Sequence, residues 1–269
     1  PHKQRDNTRG FPDSQKPDLG DFEEVNLSTN GVNEFEYKSF VIDARYETEN
    51  GAWSWVTGYR DMDQYAMIDT DGGAGDIFVF VSNPEQEQIS HEIRWSGTPW
   101  GDNFELTAGA YYFNQKIEYI EGRHIFGGLL TQTLGGDVDH TAVGLFVDTT
   151  WNINEKWALN LGLRYTDEEK EADISIPTDC VPITTTWSPS CTPSFSDDEN
   201  WDNIGPAVTL QYFHSDDLNF YASAKRGYRS GGFNIRNSAA SPVSPMYDEE
   251  TGDTWELGFK ADLRDNLRV

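Results

Sequence analysis

Carboxylates dominate the chemically capable side chains of this chain: 46 Asp and Glu stand against 20 Lys and Arg, a formal net charge of −26. Two acidic groups have oxygen ligands of the kind Ca²⁺ takes: Asp69, Asp71 and Asp76, with Gly72 after the second, and Asp197-Asp198-Glu199. Neither completes an EF-hand ligand pattern. A run of acids is first of all a solvated rim, so no metal ligand is assigned. His2, His91, His124, His140 and His214 show no zinc spacing. A nucleophile elbow and a phosphate loop are both missing, and carboxylate pairs are too plentiful to mark a catalytic dyad. The expectation is a protein that is not an enzyme, with no catalytic residue and no cofactor. Nucleic acid is excluded as a partner, because phosphate binding needs clustered Lys and Arg. Arg123, His124, Trp187 and Arg236 fall in polar segments where a ligand could be met, but exposed decoration is the plainer reading of each, and ligand-binding residues stay unassigned.

The only cysteines, Cys180 and Cys191, sit in a segment rich in Thr, Ser and Pro. An exposed pair at short spacing suggests a small disulfide-closed loop in an oxidising compartment, with an entropic gain of roughly 2–3 kcal/mol. Two unpaired thiols is the alternative.

The elements that must position these residues follow a rhythm. Short turns rich in Asn, Asp, Gly or Pro occur at Glu49-Asn50-Gly51, residues 99–103, Asn154-Glu155-Lys156, Ser215-Asp216-Asp217 and Arg264-Asp265-Asn266. Long polar segments alternate with them, at 66–85, 120–139, 168–200 and 231–248. Between turn and loop the chain alternates with period two. Trp157, Leu159, Leu161, Leu163 and Tyr165 share one face, and Ala158, Asn160, Gly162, Arg164 and Thr166 the other. The same alternation predicts about nine strands, at 35–47, 52–65, 87–97, 104–119, 140–153, 157–173, 201–214, 218–229 and 249–263, with another beginning at Leu267.

A soluble antiparallel sheet and a membrane barrel both alternate. Three details favour the barrel. The apolar faces run about five positions, matching the roughly 9–11 residues a tilted strand needs to cross a bilayer. Trp53, Trp55, Trp151 and Trp157 lie close to short turns, where an interfacial girdle falls. Strands continue as polar stretches past the apolar band. The fold class is thus all-β: a transmembrane antiparallel β-barrel segment of nine to ten strands from a larger barrel, with short periplasmic turns and long extracellular loops. Residues 1–34 are expected to be an extracellular loop segment and 35–269 a partial barrel. The polar start and the stop just after a turn are read as those of a fragment.

Four segments then resemble one family in its own order. Residues 90–95 (SHEIRW) resemble SQELRLT, and 159–169 (LNLGLRYTDEE) resemble LTLGLRYTDEE. Residues 220–234 (FYASAKRGYRSGGFN) resemble YASYSRGFKSGGFN, and 254–263 (TWELGFKADL) resemble YELGLKSDL. These are strand segments of TonB-dependent receptors, the outer-membrane siderophore-receptor-like family. Two departures are Ala224, where an aromatic is usual, and His91, where Gln is common. The resemblance implies a barrel of about 22 strands in the outer membrane of a Gram-negative bacterium, filled by a plug that lies outside these residues. It further implies capture of a scarce small-molecule ligand, often a ferric siderophore or similar metal complex, imported with energy from the TonB–ExbB–ExbD system acting through the plug. Outer-membrane lipid would be the surrounding partner. A passive pore, or an adhesin barrel without plug, is the alternative. Arg94, Arg164, Lys225, Lys260 and Glu256 are expected to be lumen-facing charges, mostly paired with lumen acids such as Glu92 and Asp148.

Overall fold

In the computed structural model, residues 2–6, 27–176, 192–236, 245–264 and 267–269 are described. Period-two alternation and turn chemistry build one meander. Its strands are β1 (His2–Asp6), β2 (Val32–Thr48), β3 (Gly51–Asp69), β4 (Phe78–Gly97), β5 (Phe104–Ile125), β6 (Leu130–Asn154), β7 (Trp157–Ser175), β8 (Phe195–Ser215), β9 (Leu218–Arg229), β12 (Glu250–Arg264) and β13 (Leu267–Arg268). Every neighbouring pair is antiparallel, and the sheet order follows the chain from β1 to β13 without closing on itself. A separate two-stranded ribbon pairs β10 (Gly232–Phe233) with β11 (Met246–Tyr247). The expected division at 34/35 falls inside β2.

The short connections are closed by their own polar groups. Thr48 Oγ1 donates to the Gly51 carbonyl at 2.8 Å. Asn154 Oδ1 accepts the Lys156 and Trp157 amides at 2.9 and 3.1 Å, the Asx-type turn that makes Asn frequent here.

The long connections are shorter than the sequence rhythm predicted. Most of 120–139 is strand: β5 runs to Ile125, β6 starts at Leu130, and only 126–129 turn, with Phe126, Gly127 and Gly128 at positive φ. Likewise 66–85 narrows to a connection at 70–77. The reason is that β6, with 25 residues, outruns what a bilayer crossing requires. Beyond that length neither face keeps an apolar row, as where Glu121 stands opposite Leu134, and the alternation that marks a strand disappears while its ladder continues.

Cross-strand register sorts the side chains into two faces. Trp53, Trp95, Ala108, Val147, Leu163 and Pro206 form one continuous row. The exposed large hydrophobics on this face include Trp55, Ile93, Leu145, Leu161 and Leu210. The opposite face carries Ser54, Arg94, Gly109, Phe146 and Arg164 in the adjacent row, charged and polar except at Gly109 and Phe146. The most deeply buried side chains, Leu134, Ile174, Glu121, Thr133 and Asp69, lie at the loop end of the strands rather than midway along them.

Candidate ligand-facing site at the loop end of the polar face

Glu121 and Arg123 are on the polar face of β5, near its loop end. Glu121 is completely buried. Its carboxylate accepts from Tyr119 Oη at 2.7 Å, Arg123 Nε at 2.6 Å and Arg236 Nε at 2.6 Å. Arg236 belongs to the segment that follows β10 and reaches β5 across 115 positions of sequence. Its guanidinium also lies over the Phe80 ring of β4, 5.6 Å from the centroid. Burial pushes the Glu121 carboxyl up, but the donors Arg236, Tyr119 and Arg123 outweigh it and hold it below the usual carboxylate range. Burial, with Glu121 beside it, raises the Tyr119 phenol. A buried acid with two guanidinium partners and a phenol is a satisfied charge.

A second cluster lies where residues 230–236 leave β9. Glu168 accepts from Ser230 Oγ at 2.7 Å and sits 3.0 Å from His140 Nε2. Lys170 donates to Ser230 Oγ at 2.7 Å and to the Gly231 carbonyl at 2.6 Å, and its ammonium is 5.5 Å from the Trp201 ring centroid. The His140 contact leads in holding the Glu168 carboxyl low, and burial lowers the Lys170 ammonium. Phe233 packs at 5.9 Å from Phe195 and 6.3 Å from Trp201. Gly231 permits this approach: a β-carbon there would come within 2.6 Å of the Trp201 ring and 2.5 Å of the Tyr247 carbonyl oxygen. Gly231 is therefore a packing requirement. Residues 230–236 form a strap tied to β7 at one end and to β5 at the other.

Arg123 and Arg236, candidate contacts from sequence, are brought together on Glu121. His124 lies on the other face of β5, and Trp187 lies outside the described residues, as do Cys180 and Cys191 and therefore the expected disulfide. Sequence reasoning missed Glu121, Glu168, Lys170, Ser230, Trp201 and Phe233. The available signal was the unbroken polar continuation of β5, β6 and β7.

Arg94, Arg164, Lys225, Lys260 and Glu256 all fall on the polar face by register. Arg94 donates to Glu92 at 3.0 Å. Arg164 instead lies 6.0 Å from both the Tyr111 and Phe146 ring centroids. Tyr221 Oη donates to Glu256 at 2.5 Å, and Lys260 sits over the Tyr221 ring at 5.7 Å.

The Asp69 and Asp71 oxygens are taken by the backbone. Asp69 accepts the Ser28, Thr29 and Gly72 amides at 3.0, 3.3 and 3.2 Å and the Ser28 hydroxyl at 2.8 Å. Asp71 accepts the Gly73 and Phe78 amides at 3.1 and 2.8 Å. These bonds staple a loop, and they outweigh burial in lowering the Asp69 carboxyl.

Solved structures share this architecture. The chain matches the ferric yersiniabactin uptake receptor FyuA from Yersinia pestis with a TM-score of 0.73 at 14% identity, over 88% of this chain and 35% of that one. It matches the siderophore receptor PiuA from Acinetobacter baumannii at 0.70 and 16% identity, over 98% of this chain and 44% of that one. The unliganded ferric citrate transporter FecA matches at 0.60 and 15% identity, over 87% and 33%. The chain thus spans a third to under half of these proteins. At such identities the likeness speaks for the fold, which is that of their barrel walls. A family description, TonB dependent receptor-like, beta-barrel, matches residues 2–269, and the chain belongs to that family.

Proposed function

We propose that this chain is the wall and mouth of an outer-membrane receptor that binds a scarce ligand, a ferric siderophore or similar metal complex, and imports it with TonB-derived energy. Family membership over residues 2–269 carries the reading. The apolar face meets lipid. The polar face, with Arg94, Arg164, Lys225, Lys260 and Glu256, lines the lumen, where a plug outside this chain would contact it and the TonB–ExbB–ExbD system would act. The neighbours named for ferric yersiniabactin and ferric citrate supply the ligand class.

The strap at 230–236 supports the reading in a second way. It folds in over the polar face and brings Arg236, and Phe233 against Trp201 of β8, to the loop end, where an incoming ligand arrives. Cations and rings together suit a ligand with carboxylate or catecholate oxygens and flat apolar parts.

The test is uptake of radiolabelled iron complexes by cells carrying the full-length receptor as their sole receptor, with and without TonB. TonB-dependent uptake of at least one complex is the expected result. Ligand-independent solute flux through the receptor in vesicles, unchanged without TonB, overturns the reading in favour of a passive pore.

A further inference from the structure

On the polar face, the Arg164 guanidinium is held in a fixed seat that contains no carboxylate. Its Nε donates to Thr166 Oγ1 at 3.1 Å. Its carbon lies 6.0 Å from the ring centroids of both Tyr111 on β5 and Phe146 on β6. The floor of the seat is the backbone of Gly144, which pairs with Tyr111 on one side and Thr166 on the other. A β-carbon there would stand 2.7 Å from the Arg164 Nη2 and 3.1 Å from the guanidinium carbon. Gly144 is not at a positive φ, so its backbone does not call for glycine; the room it leaves is filled by Arg164.

Among the described residues, no Asp or Glu comes within ion-pair distance of Arg164, whereas Arg94 on the same face has Glu92 at 3.0 Å. Its terminal nitrogens make no hydrogen bond among those residues either, and the side chain is exposed. Fixing an arginine costs side-chain entropy, and glycine inside a strand weakens it. Within the wall only two rings and one neutral hydrogen bond offset this. A planar fork held in place with both terminal nitrogens open is shaped for a bidentate carboxylate.

Depth identifies the source of that carboxylate. Glu168 and Lys170, to which the strap is tied, follow Arg164 on the same face of β7. They stand four and six residues nearer the loops, about 13 and 20 Å at the rise of a strand. An arriving ligand therefore meets the strap first. Arg164 lies below it, level with the apolar band that runs from Trp157 to Tyr165 on the other face. At that level the lumen of a plugged receptor is filled with protein. A cation covered there without a counter-charge is strongly destabilising, and an acid on the covering surface removes the penalty.

We propose that Arg164 is the docking point for a plug carboxylate, an Asp or Glu outside this chain that the guanidinium grips bidentately in the resting receptor. This rests on the plugged-receptor reading and goes beyond it, naming the wall residue and the chemistry of its partner. Gly144, Thr166, Tyr111 and Phe146 are positioning residues that hold the fork toward the lumen.

The test is amide exchange, followed by mass spectrometry, over the plug of the ligand-free full-length receptor in vesicles. Wild type is compared with Arg164→Ala, Gly144→Ala and a Thr209→Ala control elsewhere on the same face. Gly144→Ala keeps the charge and displaces the guanidinium, whose flexible end can move aside, so the barrel stays folded. Both Arg164→Ala and Gly144→Ala are expected to speed exchange about tenfold in one plug segment containing an Asp or Glu, as loss of a charged hydrogen bond would. Thr209→Ala leaves exchange unchanged. Exchanging that acid for arginine in an Arg164→Asp receptor should restore the protection. Unchanged plug exchange in both variants overturns the proposal, as does a loosened segment without an acid. Weakened binding of an iron complex with plug exchange unchanged also overturns it, because the cation then serves the ligand. TonB-dependent uptake and bilayer conductance on the same proteins separate the two readings. Intact wild-type uptake with unchanged exchange defeats this inference alone, and a wild type that conducts as an open pore defeats the plugged-receptor reading with it.

Discussion

At the scale of single residues, Glu121 has the most consequence. Removing one member of a buried ionic group leaves its partners uncompensated, at about 3–5 kcal/mol where burial is complete. Arg123 is largely buried but Arg236 is half exposed, so the loss for Glu121→Gln should fall below that range. The expected phenotype is local: the β5 end of the strap comes loose while the barrel stays folded. A bimane label on Asn234→Cys, in a background with Cys180 and Cys191 replaced by serine, is quenched by Trp201 when the strap is down. Glu121→Gln should relieve that quenching at neutral pH, and unchanged quenching would show that Arg236 does not hold the strap. Acid should do the same to the wild type. The folded state holds the Glu121 carboxyl below its ordinary value despite burial. Its contribution is therefore fully present above about pH 4.3 and is lost as pH falls through the lower folded value. Gly231→Ala tests the other end. Its β-carbon meets the Trp201 ring and the Tyr247 carbonyl, and overpacking of that kind costs about 1–3 kcal/mol. Amide exchange over 230–236 should accelerate several-fold in that variant, and unchanged exchange would mean that the strap absorbs the extra methyl.

At the scale of strands, the two faces make an asymmetric prediction. Leu161 lies mid-span on the apolar face of β7, and Asn160 is next to it on the polar face, where it accepts from Gln211 at 3.1 Å. An arginine at a mid-bilayer, lipid-facing site costs about 2–4 kcal/mol, while lumen sites tolerate charge. Leu161→Arg should lower the folding free energy of the full receptor in vesicles by about that amount, read from denaturant titration, and Asn160→Arg by much less. Equal losses would mean that the faces are assigned the wrong way round. The same alternation explains what was legible in the sequence. The turns at Asn154 and Asp216-Asp217, the faces of β7 and β12, and β9 from Leu218 to Arg229 were all readable, because a lipid-facing strand must keep its apolar period and a two-residue turn must use turn residues. The loop-end extensions of β4, β5 and β6 were not. There, partners such as Glu121 and Leu134, directly opposite each other, follow no period, since neither face meets lipid. The strap was hidden for a different reason: its contacts join Arg236 to Glu121 and Ser230 to Glu168, and pairings over such distances leave no local pattern.

At the scale of the whole molecule, the net charge of −26 is not spread evenly. Just beyond the apolar band, the outward face of successive strands carries acids in direct cross-strand register: Asp63 with Glu85, Asp137 with Asp173, Asp139 with Glu171, and Asp167 with Asp202. Like charges directly opposite in a sheet are destabilising by a few tenths of a kcal/mol to about 1 kcal/mol each. Lys116, 3.2 Å from Asp139, offsets only part of this. Burial, and then Asp173, pushes the Asp137 carboxyl up, the reverse of Glu121. A carboxyl raised in the folded state binds its proton more readily there than in the unfolded chain. The repulsion it reports is therefore felt above its folded value and relieved as pH falls toward the unfolded one. Two consequences can be measured on the detergent-solubilised full receptor. Raising ionic strength from about 10 mM to about 150 mM shortens the Debye length from about 30 Å to about 8 Å, so repulsion summed around the belt should weaken and the Tm should rise. Asp137→Asn with Asp173→Asn should raise the Tm at low salt and shrink its salt dependence. A Tm that is flat or falling with salt in the wild type would mean that the belt's carboxylates are already neutralised by groups outside this chain, and the double variant would then lower stability by stripping those groups of their partners.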